Sequence, residues 1–433
     1  MKTAPILQGC LKTGPTALQM HSGKKYWKSI KKSCNQKPPK PYFYRKKIMN
    51  TLLLLSLVIL FSLNVKCQSS FESNMDTTKS ERYQKGWVKL REIDGAAGQN
   101  VIQSLENILN DETQREIGVY LPPDYNNSNK KYPVLYYLMG YNSSGKNPYR
   151  KIKELKNQID NMIYINKLCE LIIVFINGSN KFRGSFYVNS PVTGNWEDFI
   201  THDVITHIDN KYRTLANKES RSIAGSSMGG YGALNLSMLH PEIYCAGFGI
   251  SPGLYTDMGF NNSQIIKRKG NIENTISLIE KLNSLPKDNA KKEFFNFLDT
   301  CTNKTLFFTM AYGAAHAPNI EQPPYFNFPF KVVDNDTIVD TDIWQLWQNG
   351  FGGIDKEIEL YKDNLEQLKV YGIACGYKEG NKWLIDGCYY YADKLAENRI
   401  NHILYLHQGT HTSHTIDVMI NNVLPLLSNV MEH

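Results

Sequence analysis

Short, apolar, β-rich runs alternate with longer helical patterns along most of this 433-residue chain. Such alternation is typical of a largely parallel sheet covered by helices. The runs show no polar alternation, which indicates strands buried on both faces. We therefore predict an α/β fold with strands at 132–138, 171–176, 221–224, 244–250, 369–374 and 402–406. An antiparallel hairpin formed by 101–109 and 115–121 is predicted to precede them.

The segment from about 255 to 367 interrupts this alternation, and we interpret it as an insertion before a late strand rather than as a second domain. It contains a predicted helix at 303–316, a small hairpin around Asp334-Asn335-Asp336, and a helix that carries Trp344 and Trp347. With 42% hydrophobic and 21% charged residues, the chain can form a packed core. This composition excludes a disordered, collagenous or polytopic membrane protein.

The positive charge of the chain is concentrated at its front. Residues 1–48 contain twelve Lys and Arg and no acidic residue, so removing them from the formal net charge of +8 leaves −4. We interpret 1–48 as a basic leader or a misassigned N-terminal extension. Because the rest of the chain is mildly acidic, we expect no nucleic-acid partner.

An apolar run at 52–63 follows Arg45, Lys46 and Lys47 and is typical of a signal peptide, here 49–67. As a helix, this run reaches about 18 Å, short of a hydrocarbon core of about 30 Å. Cleavage is therefore favoured over retention as a membrane anchor, and lipid attachment at Cys67 is disfavoured by Lys66. We expect a periplasmic or secreted protein without a stable membrane span, with a polar linker at 68–85 and the folded domain at 86–433.

The periplasm and the cell exterior are oxidising and permit disulfides, but only five cysteines follow Cys67. Several of them lie in apolar runs. We expect mainly buried free thiols, with one bridge as the alternative.

The strongest local motif is Gly225-Ser226-Ser227-Met228-Gly229-Gly230, between a predicted strand and a helix beginning near Gly230. A Gly-x-Ser-x-Gly turn at such a junction holds the central serine in a strained conformation and exposes its hydroxyl above the sheet. The motif alone is weak, since a glycine-rich turn has the same letters. Its placement favours Ser227 as a nucleophile.

A serine nucleophile requires a base and a carboxylate that orients the base. In this fold class both come later in the chain, the acid after a late strand and the histidine after the last one. His411 and Glu379 occupy those positions, although Asp386 lies close enough in sequence to be an alternative acid. His407 and His414 raise the question of a metal site, but no clustered carboxylate completes a ligand set, so we expect neither metal nor cofactor.

Charge that develops on a tetrahedral oxygen requires preorganised backbone N–H groups. Met228, which follows the nucleophile, offers one. The loop after the strand at 132–138 offers a second, and Gly140 allows close approach there, so we expect the Tyr141 N–H to be the other donor. An ordinary polar loop is the alternative.

Together these residues resemble the Putative esterase family of α/β-hydrolases, which includes S-formylglutathione hydrolases and feruloyl and acetyl-xylan esterases. The resemblance covers about 86–427 and is carried by VYLPP at 119–123, YVNS at 187–190, GNWE at 194–197, the segment from Asp209 to Tyr212-Arg213-Thr214, and SSMGGYGAL at 226–234. It implies an α/β-hydrolase fold with Ser227 as nucleophile, His411 as base, Glu379 as acid, and Met228 and Tyr141 as oxyanion donors. The chain departs from the family pattern at Met139 and Ser226, where members commonly carry His, and at Glu379, where Asp is common.

We expect the substrate cleft to lie beyond the carboxyl ends of the strands. Ser226, Asn189 and Trp196 are candidate substrate-binding residues, with Ser190 near them. The insertion aromatics either line the cleft or pack in the core; they are Trp344, Trp347, Tyr325 and Phe326.

The expected reaction is ester hydrolysis through an acyl-enzyme, on feruloyl, acetyl or short-chain acyl esters of carbohydrates or small molecules. Polysaccharide-linked esters are included. The alternatives are acyl transfer to a sugar or lipid alcohol, and an inactive glycan- or siderophore-binding protein of the same fold.

Overall fold

The structure is a computed structural model that describes residues 87–90, 109, 115, 117–143 and 148–433. The leader, the signal segment and the polar linker predicted from the sequence lie outside the described residues. Eight strands form the central sheet, and they are β1 (Trp87–Leu90), β2 (Ile117–Tyr120), β3 (Val134–Leu138), β4 (Ile172–Ile176), β7 (Arg221–Ser226), β8 (Ala246–Ile250), β11 (Val370–Gly376) and β12 (Ile403–His407). Two separate hairpins pair β5 (Asn189–Ser190) with β6 (Gly194–Asn195) and β9 (Phe330–Val333) with β10 (Asp336–Val339).

The strand order of the sheet is β1-β2-β4-β3-β7-β8-β11-β12. Strand β2 is antiparallel to both of its neighbours, and every later pairing in the sheet is parallel. This is the arrangement of an α/β-hydrolase. The carboxyl ends of β7, β11 and β12 therefore lie at the same edge of the sheet, where loops carry chemistry in this architecture.

Helices cover both faces of the sheet. In chain order they are α1 (Pro148–Tyr164), α2 (Trp196–Asp198), α3 (Ile205–Lys211), α4 (Met228–Leu239), α5 (Gln264–Lys267), α6 (Asn271–Asn283), α7 (Lys287–Thr300), α8 (Lys304–His316), α9 (Thr341–Phe351), α10 (Ile354–Leu360), α11 (Lys362–Gln367), α12 (Lys382–Glu397), α13 (Thr415–Val418) and α14 (Leu424–Val430). A π-helical turn at Phe199–Val204 joins α2 to α3, and another at Met419–Val423 joins α13 to α14.

Two hydrophobic cores follow from the alternation of side chains along each strand. Leu135 of β3 packs in one core with α1 and the C-terminal helices. Tyr136 packs in the other with α3, α4, α12 and the insertion helices. The predicted parallel strands are thus confirmed, with ends that shift by a few residues, and so is their burial on both faces.

The predicted N-terminal hairpin is wrong. Strand β2 is already paired on one side with β1 and on the other with β4, so no edge remains for a partner from 101–109. Of that segment the structure describes Leu109, which is buried in a turn, and residues 101–108 lie outside the described residues.

The elements predicted between 255 and 367 are confirmed. Helix α8 begins after Asn303, whose side-chain oxygen accepts hydrogen bonds from the N–H groups of Thr305 and Leu306. The turn of the β9–β10 hairpin has positive φ at both Asp334 (51°) and Asn335 (72°), the geometry that two-residue hairpin turns require.

All five cysteines after Cys67 are free thiols. Cys245, Cys375 and Cys388 are buried, whereas Cys169 and Cys301 are partly exposed. Within the described ranges, no helix combines the length and apolarity needed to cross a bilayer.

Gly229 lies in the first turn of helix α4 and packs against the backbone at the end of strand β3, so any larger residue there would clash with main-chain atoms. A Cβ atom at this position would lie 2.0 Å from the carbonyl oxygen of Leu138. We expect Gly229→Ala to lower the free energy of unfolding by about 3 kcal/mol or more, because backbone on both sides must shift. Gly380→Ala is the control, since nothing lies within 4 Å of a Cβ there; urea unfolding curves that coincide for the two variants would contradict the account.

Glu357 of α10 is a partly buried carboxyl, and among the described residues no positive side chain pairs with it. Burial raises its pKa to about 7. Because the unfolded carboxyl titrates near 4.3, the folded state loses stability as pH rises from about 4 to 7. We expect Glu357→Gln to raise the free energy of unfolding by about 1–3 kcal/mol at pH 8.5 and much less at pH 4.5. The exposed Glu359 of the same helix provides the control Glu359→Gln, and equal effects of both variants would count against this assignment.

Candidate active site

Ser227 lies at the junction of β7 and α4 in a strained backbone conformation. Its φ is 57° and its ψ is −119°, a combination that non-glycine residues rarely adopt. The turn is held in place because the Ser227 N–H donates to the carbonyl oxygen of Ile250 at 2.8 Å. Strain of this kind persists where the surrounding structure enforces it, and here it projects the hydroxyl beyond the sheet edge.

The side chain of His411 lies between Ser227 and Glu379. His411 Nε2 is 2.9 Å from Ser227 Oγ, and His411 Nδ1 is 2.9 Å from Glu379 Oε2. With the carboxylate accepting from Nδ1–H, Nε2 is left as the acceptor for the serine hydroxyl. The three residues predicted from the sequence are therefore joined by two consecutive hydrogen bonds, Ser227–His411–Glu379, although they are far apart in the chain. This set is called the hydrogen-bonded row.

The carboxyl of Glu379 is almost fully buried, with 1% of its side chain exposed. Burial by itself raises the pKa of this carboxyl, but the hydrogen bond from His411 and those from the backbone N–H groups of Asn381 and Gly380 outweigh it, so the pKa is lowered. Glu379 is thus held ionised, the form that accepts from an imidazole. Asp386 lies within α12, where burial raises its pKa, and the carboxylate in contact with His411 is that of Glu379.

The loops that carry the acid and the base are tied to each other. The Tyr377 N–H donates to the carbonyl oxygen of His407 at 3.0 Å, and the Lys378 N–H donates to that of Gly409 at 3.1 Å. His407 Nδ1 accepts from the Gly409 N–H at 3.1 Å, which fixes the turn leading into His411. These bonds set the distance between the two loops and hence between the carboxylate and the imidazole.

The three neighbouring histidines have different partners. His407 accepts from the Gly409 N–H, His411 contacts Ser227, and His414 contacts Asp417. Within the described part of the chain, no group of three or more His, Cys, Asp or Glu side chains is arranged to hold a metal ion.

The loop after β3 lies directly beside the nucleophile. A Cβ on Gly140 would lie 3.3 Å from the carbonyl oxygen of Ser226 and 3.4 Å from Ser227 Cβ, so a side chain there would require a small shift of the Ser226 backbone. Tyr141 follows, with its hydroxyl donating to the carbonyl oxygen of Phe182 at 3.1 Å and its ring edge-on to Phe308. Met228 is the first residue of α4, so its N–H has no intrahelical acceptor and lies at the positive end of the helix dipole.

A segment at 180–187 covers this loop, and the sequence did not single it out as part of the site. A Cβ on Gly184 would lie 2.5 Å from the Tyr141 ring and 2.7 Å from Met228 Sδ. Tyr187 donates from its hydroxyl to the carbonyl oxygen of Met139 at 2.8 Å. Arg183 and Phe186 adopt positive φ, as Tyr187 does. The available signal was the pair of glycines at 178 and 184 close to the aromatic residues Phe182, Phe186 and Tyr187, but nothing in the local sequence indicates which loop the segment covers.

The three candidate substrate-binding residues lie in different settings. Ser226 ends β7 next to the nucleophile, within hydrogen-bond reach of Tyr137. Asn189 is exposed and accepts from the N–H groups at the start of α2. Trp196 is buried, with its indole N–H donating to the carbonyl oxygen of Thr193 at 2.7 Å. The structure thus brings Asn189 and Trp196 together around one turn, where their hydrogen bonds are local.

The insertion aromatics pack mainly in the core. Trp347 is fully buried and donates to the carbonyl oxygen of Asn327, and Tyr325 and Phe326 are also buried. Trp344 is partly buried against Phe260. Of the two readings that the sequence left open, core packing is the one that these contacts favour.

Comparison with known proteins gives matches of several kinds. The model of the Putative esterase family matches residues 109–420. Esterase Rv1288 and esterase MT1326 of Mycobacterium tuberculosis are each 34% identical over 122 residues, which is 27% of this chain and 25% of each relative. The match thus spans about a quarter of the length of these curated relatives.

Among solved structures, a ferulic acid esterase is 18% identical with a TM-score of 0.49, covering 80% of this chain and 100% of that one. An S-formylglutathione hydrolase from Agrobacterium tumefaciens is 13% identical with a TM-score of 0.47, covering 80% and 96%. Because both scores are below 0.5, the fold assignment rests on the strand order itself. The family match extends over most of the chain and includes Ser227, Glu379 and His411: the protein belongs to the Putative esterase family and has an α/β-hydrolase fold.

Proposed function

We propose that this protein is a serine carboxylic-ester hydrolase that acts through an acyl-enzyme. The observation that carries the proposal is the hydrogen-bonded row from Ser227 through His411 to Glu379. Gly140, which precedes Tyr141, lies against Ser227, and Met228 begins α4 directly after Ser227, which supports the N–H groups of Tyr141 and Met228 as the oxyanion donors. A nucleophile, a base and an orienting carboxylate within 2.9 Å contacts are the arrangement that serine acyl transfer requires.

In the first half of the reaction, His411 Nε2 takes the proton of Ser227 as Oγ bonds to the ester carbonyl carbon. The negative charge that forms on the carbonyl oxygen is met by the backbone N–H groups of Tyr141 and Met228. As the tetrahedral intermediate collapses, the ester C–O bond breaks and the alcohol leaves with the proton from His411. Glu379 stabilises the imidazolium in between and holds its orientation.

In the second half, His411 takes a proton from water, whose oxygen attacks the acyl-enzyme carbonyl carbon. The same two N–H groups stabilise the second oxyanion. Collapse breaks the bond to Ser227 Oγ, which regains its proton from His411, and the carboxylic acid is released. No residue in this sequence of steps needs a metal or an organic cofactor.

For the substrate, we propose feruloyl, acetyl or short-chain acyl esters of carbohydrates or small molecules. This range rests on the family, whose members act on such esters, and on the expected export of the protein. The fold and the family indicate the type of reaction. The identity of the substrate depends on the individual site, which differs between proteins that share a fold.

Two alternatives are acyl transfer to a sugar or lipid alcohol, and a binding protein that has lost activity. Hydrolysis and transfer share the acyl-enzyme and differ only in the acceptor that reaches it. The intact row argues against a binding protein, since a lapsed enzyme has no need to hold Glu379 ionised or Ser227 in a strained conformation.

The test is hydrolysis of 4-nitrophenyl acetate and methyl ferulate by the purified protein, with and without added acceptor alcohols. We expect release of acid from at least one ester, with little diversion to the acceptor. Predominant transfer would favour the first alternative. Absence of turnover on every ester would overturn the proposal.

A further inference from the structure

Arg183 is held by its backbone against the loop that follows β3. Its carbonyl oxygen accepts from the N–H of Asn142, in the same loop as Tyr141, at 2.9 Å, and its own N–H donates to the carbonyl oxygen of Asn180 at 2.7 Å. Its φ of 72° is unusual for a residue with a side chain. The next residue, Gly184, packs directly on Tyr141 and Met228. Arg183 is therefore bonded to the loop that carries Tyr141 and directly precedes the residue that packs on the side chains of Tyr141 and Met228.

The side chain of Arg183 is only partly exposed, and its charge has no partner among the described residues. Its guanidinium carbon lies 3.5 Å from the ring centroid of Phe307 on α8. Across the residues that the structure describes, its N–H groups have neither a hydrogen-bond acceptor nor a carboxylate partner. The charge also acts on Tyr141, whose pKa is raised by burial and is lowered in part by Arg183.

Stacking on Phe307 uses the face of the guanidinium and leaves its edge of N–H donors free. That edge is suited to a planar, bidentate contact with a carboxylate. Another arginine that stacks on a ring, Arg213 on Tyr125, uses its donors on the carbonyl oxygens of Lys130 and Tyr125. Arg213 is therefore a structural arginine, whereas no described residue accepts from the donors of Arg183.

We propose that Arg183 is a specificity-determining residue that binds a carboxylate on the ester substrate. This inference rests on the proposed ester hydrolysis and narrows its substrate class to esters that carry an anionic group in either the acyl part or the alcohol part. Arg183 takes no part in bond making or breaking. It lowers the KM of the anionic ester by pairing with its charge.

The experiment compares anionic and neutral esters of similar size. For the acyl part, the pair is 4-nitrophenyl hemisuccinate and 4-nitrophenyl butyrate. For the alcohol part, it is 4-acetoxybenzoate and 4-acetoxybenzamide. The readout is the ratio of kcat/KM between the anionic and the neutral ester, which cancels any general loss of activity.

We expect the protein to prefer the anionic ester of one pair, mainly through KM. Arg183→Met should lower that ratio about 10-fold to 100-fold, the effect of losing a charged hydrogen-bonded pair. Arg183→Lys should keep part of the ratio. Higher salt should reduce the preference of the parent protein but not that of Arg183→Met.

Arg268→Met is the control, because it removes an exposed arginine at the end of α5 and should leave the ratio unchanged. A parent protein that hydrolyses esters without charge preference would overturn this inference alone. So would an Arg183→Met variant that loses neutral and anionic turnover equally, since Arg183 would then only support the oxyanion loop. Absence of turnover on all four esters would overturn the proposed function as well.

Discussion

Replacing Ser227 by alanine should lower the kcat for 4-nitrophenyl acetate by about 10⁴-fold to 10⁶-fold. The substitution removes the one atom that forms the acyl-enzyme, and neither His411 nor the oxyanion donors can take its place. What remains is the residual rate that binding and the two backbone N–H groups supply. The measurement is initial-rate kinetics on the purified variant.

Ser226→Ala is the matched control, because Ser226 is the neighbouring hydroxyl but makes no contact with His411 among those described. We expect it to retain kcat within about 10-fold, since its hydroxyl receives no proton-transfer role in the mechanism; loss of a substrate contact at Ser226 would instead raise KM. Folding of both variants is checked by thermal unfolding. A Ser227→Ala protein that keeps its turnover would refute the nucleophile assignment.

Glu379→Gln should lower kcat by about 10³-fold to 10⁴-fold, whereas Asp386→Asn should have little effect. The carboxylate of Glu379 accepts from His411 Nδ1 at 2.9 Å and from the Asn381 N–H at 3.0 Å. A glutamine amide can present an N–H to the imidazole, which favours the tautomer that cannot accept the proton of Ser227. The pair of variants distinguishes the two acids because each removes one charge and keeps the shape of its side chain.

The reverse result, with Asp386→Asn inactive and Glu379→Gln active, would show that the loop carrying Glu379 adopts another conformation in the working protein. Equal losses in both variants would indicate a shared electrostatic or folding effect. Thermal unfolding of each variant separates these cases from a loss of stability.

The parallel sheet and the three residues of the row were predictable from the sequence for a physical reason. Parallel strands bring their carboxyl ends to one edge, so residues that follow successive strands must meet there. Ser227 directly follows the strand that ends at Ser226, and Glu379 and His411 lie in the loops that follow the strands ending at Gly376 and His407. The antiparallel edge was less predictable, since the four residues of β1 form a run too short to show a strand periodicity.

The choice between Glu379 and Asp386 depended on the path of one loop. The Glu379 N–H donates to the carbonyl oxygen of Gly376, which turns the chain back towards the sheet edge, whereas Asp386 is already inside α12. Sequence spacing does not distinguish these two positions. The local roles of Asn189 and Trp196 likewise depend on a turn that the motif does not specify. The packing of Gly184 on Tyr141 and Met228 depends on contacts between segments that are distant in the chain.

The central claim is that Ser227 forms a covalent acyl-enzyme with the help of His411. The most direct measurement is mass spectrometry of the protein after reaction with a fluorophosphonate, which traps a serine activated in this way, followed by peptide mapping. We predict one adduct per chain, on the peptide that contains Ser227, and its loss in both Ser227→Ala and His411→Ala. An adduct on another residue would contradict the account. So would full ester turnover by protein that is already labelled at Ser227.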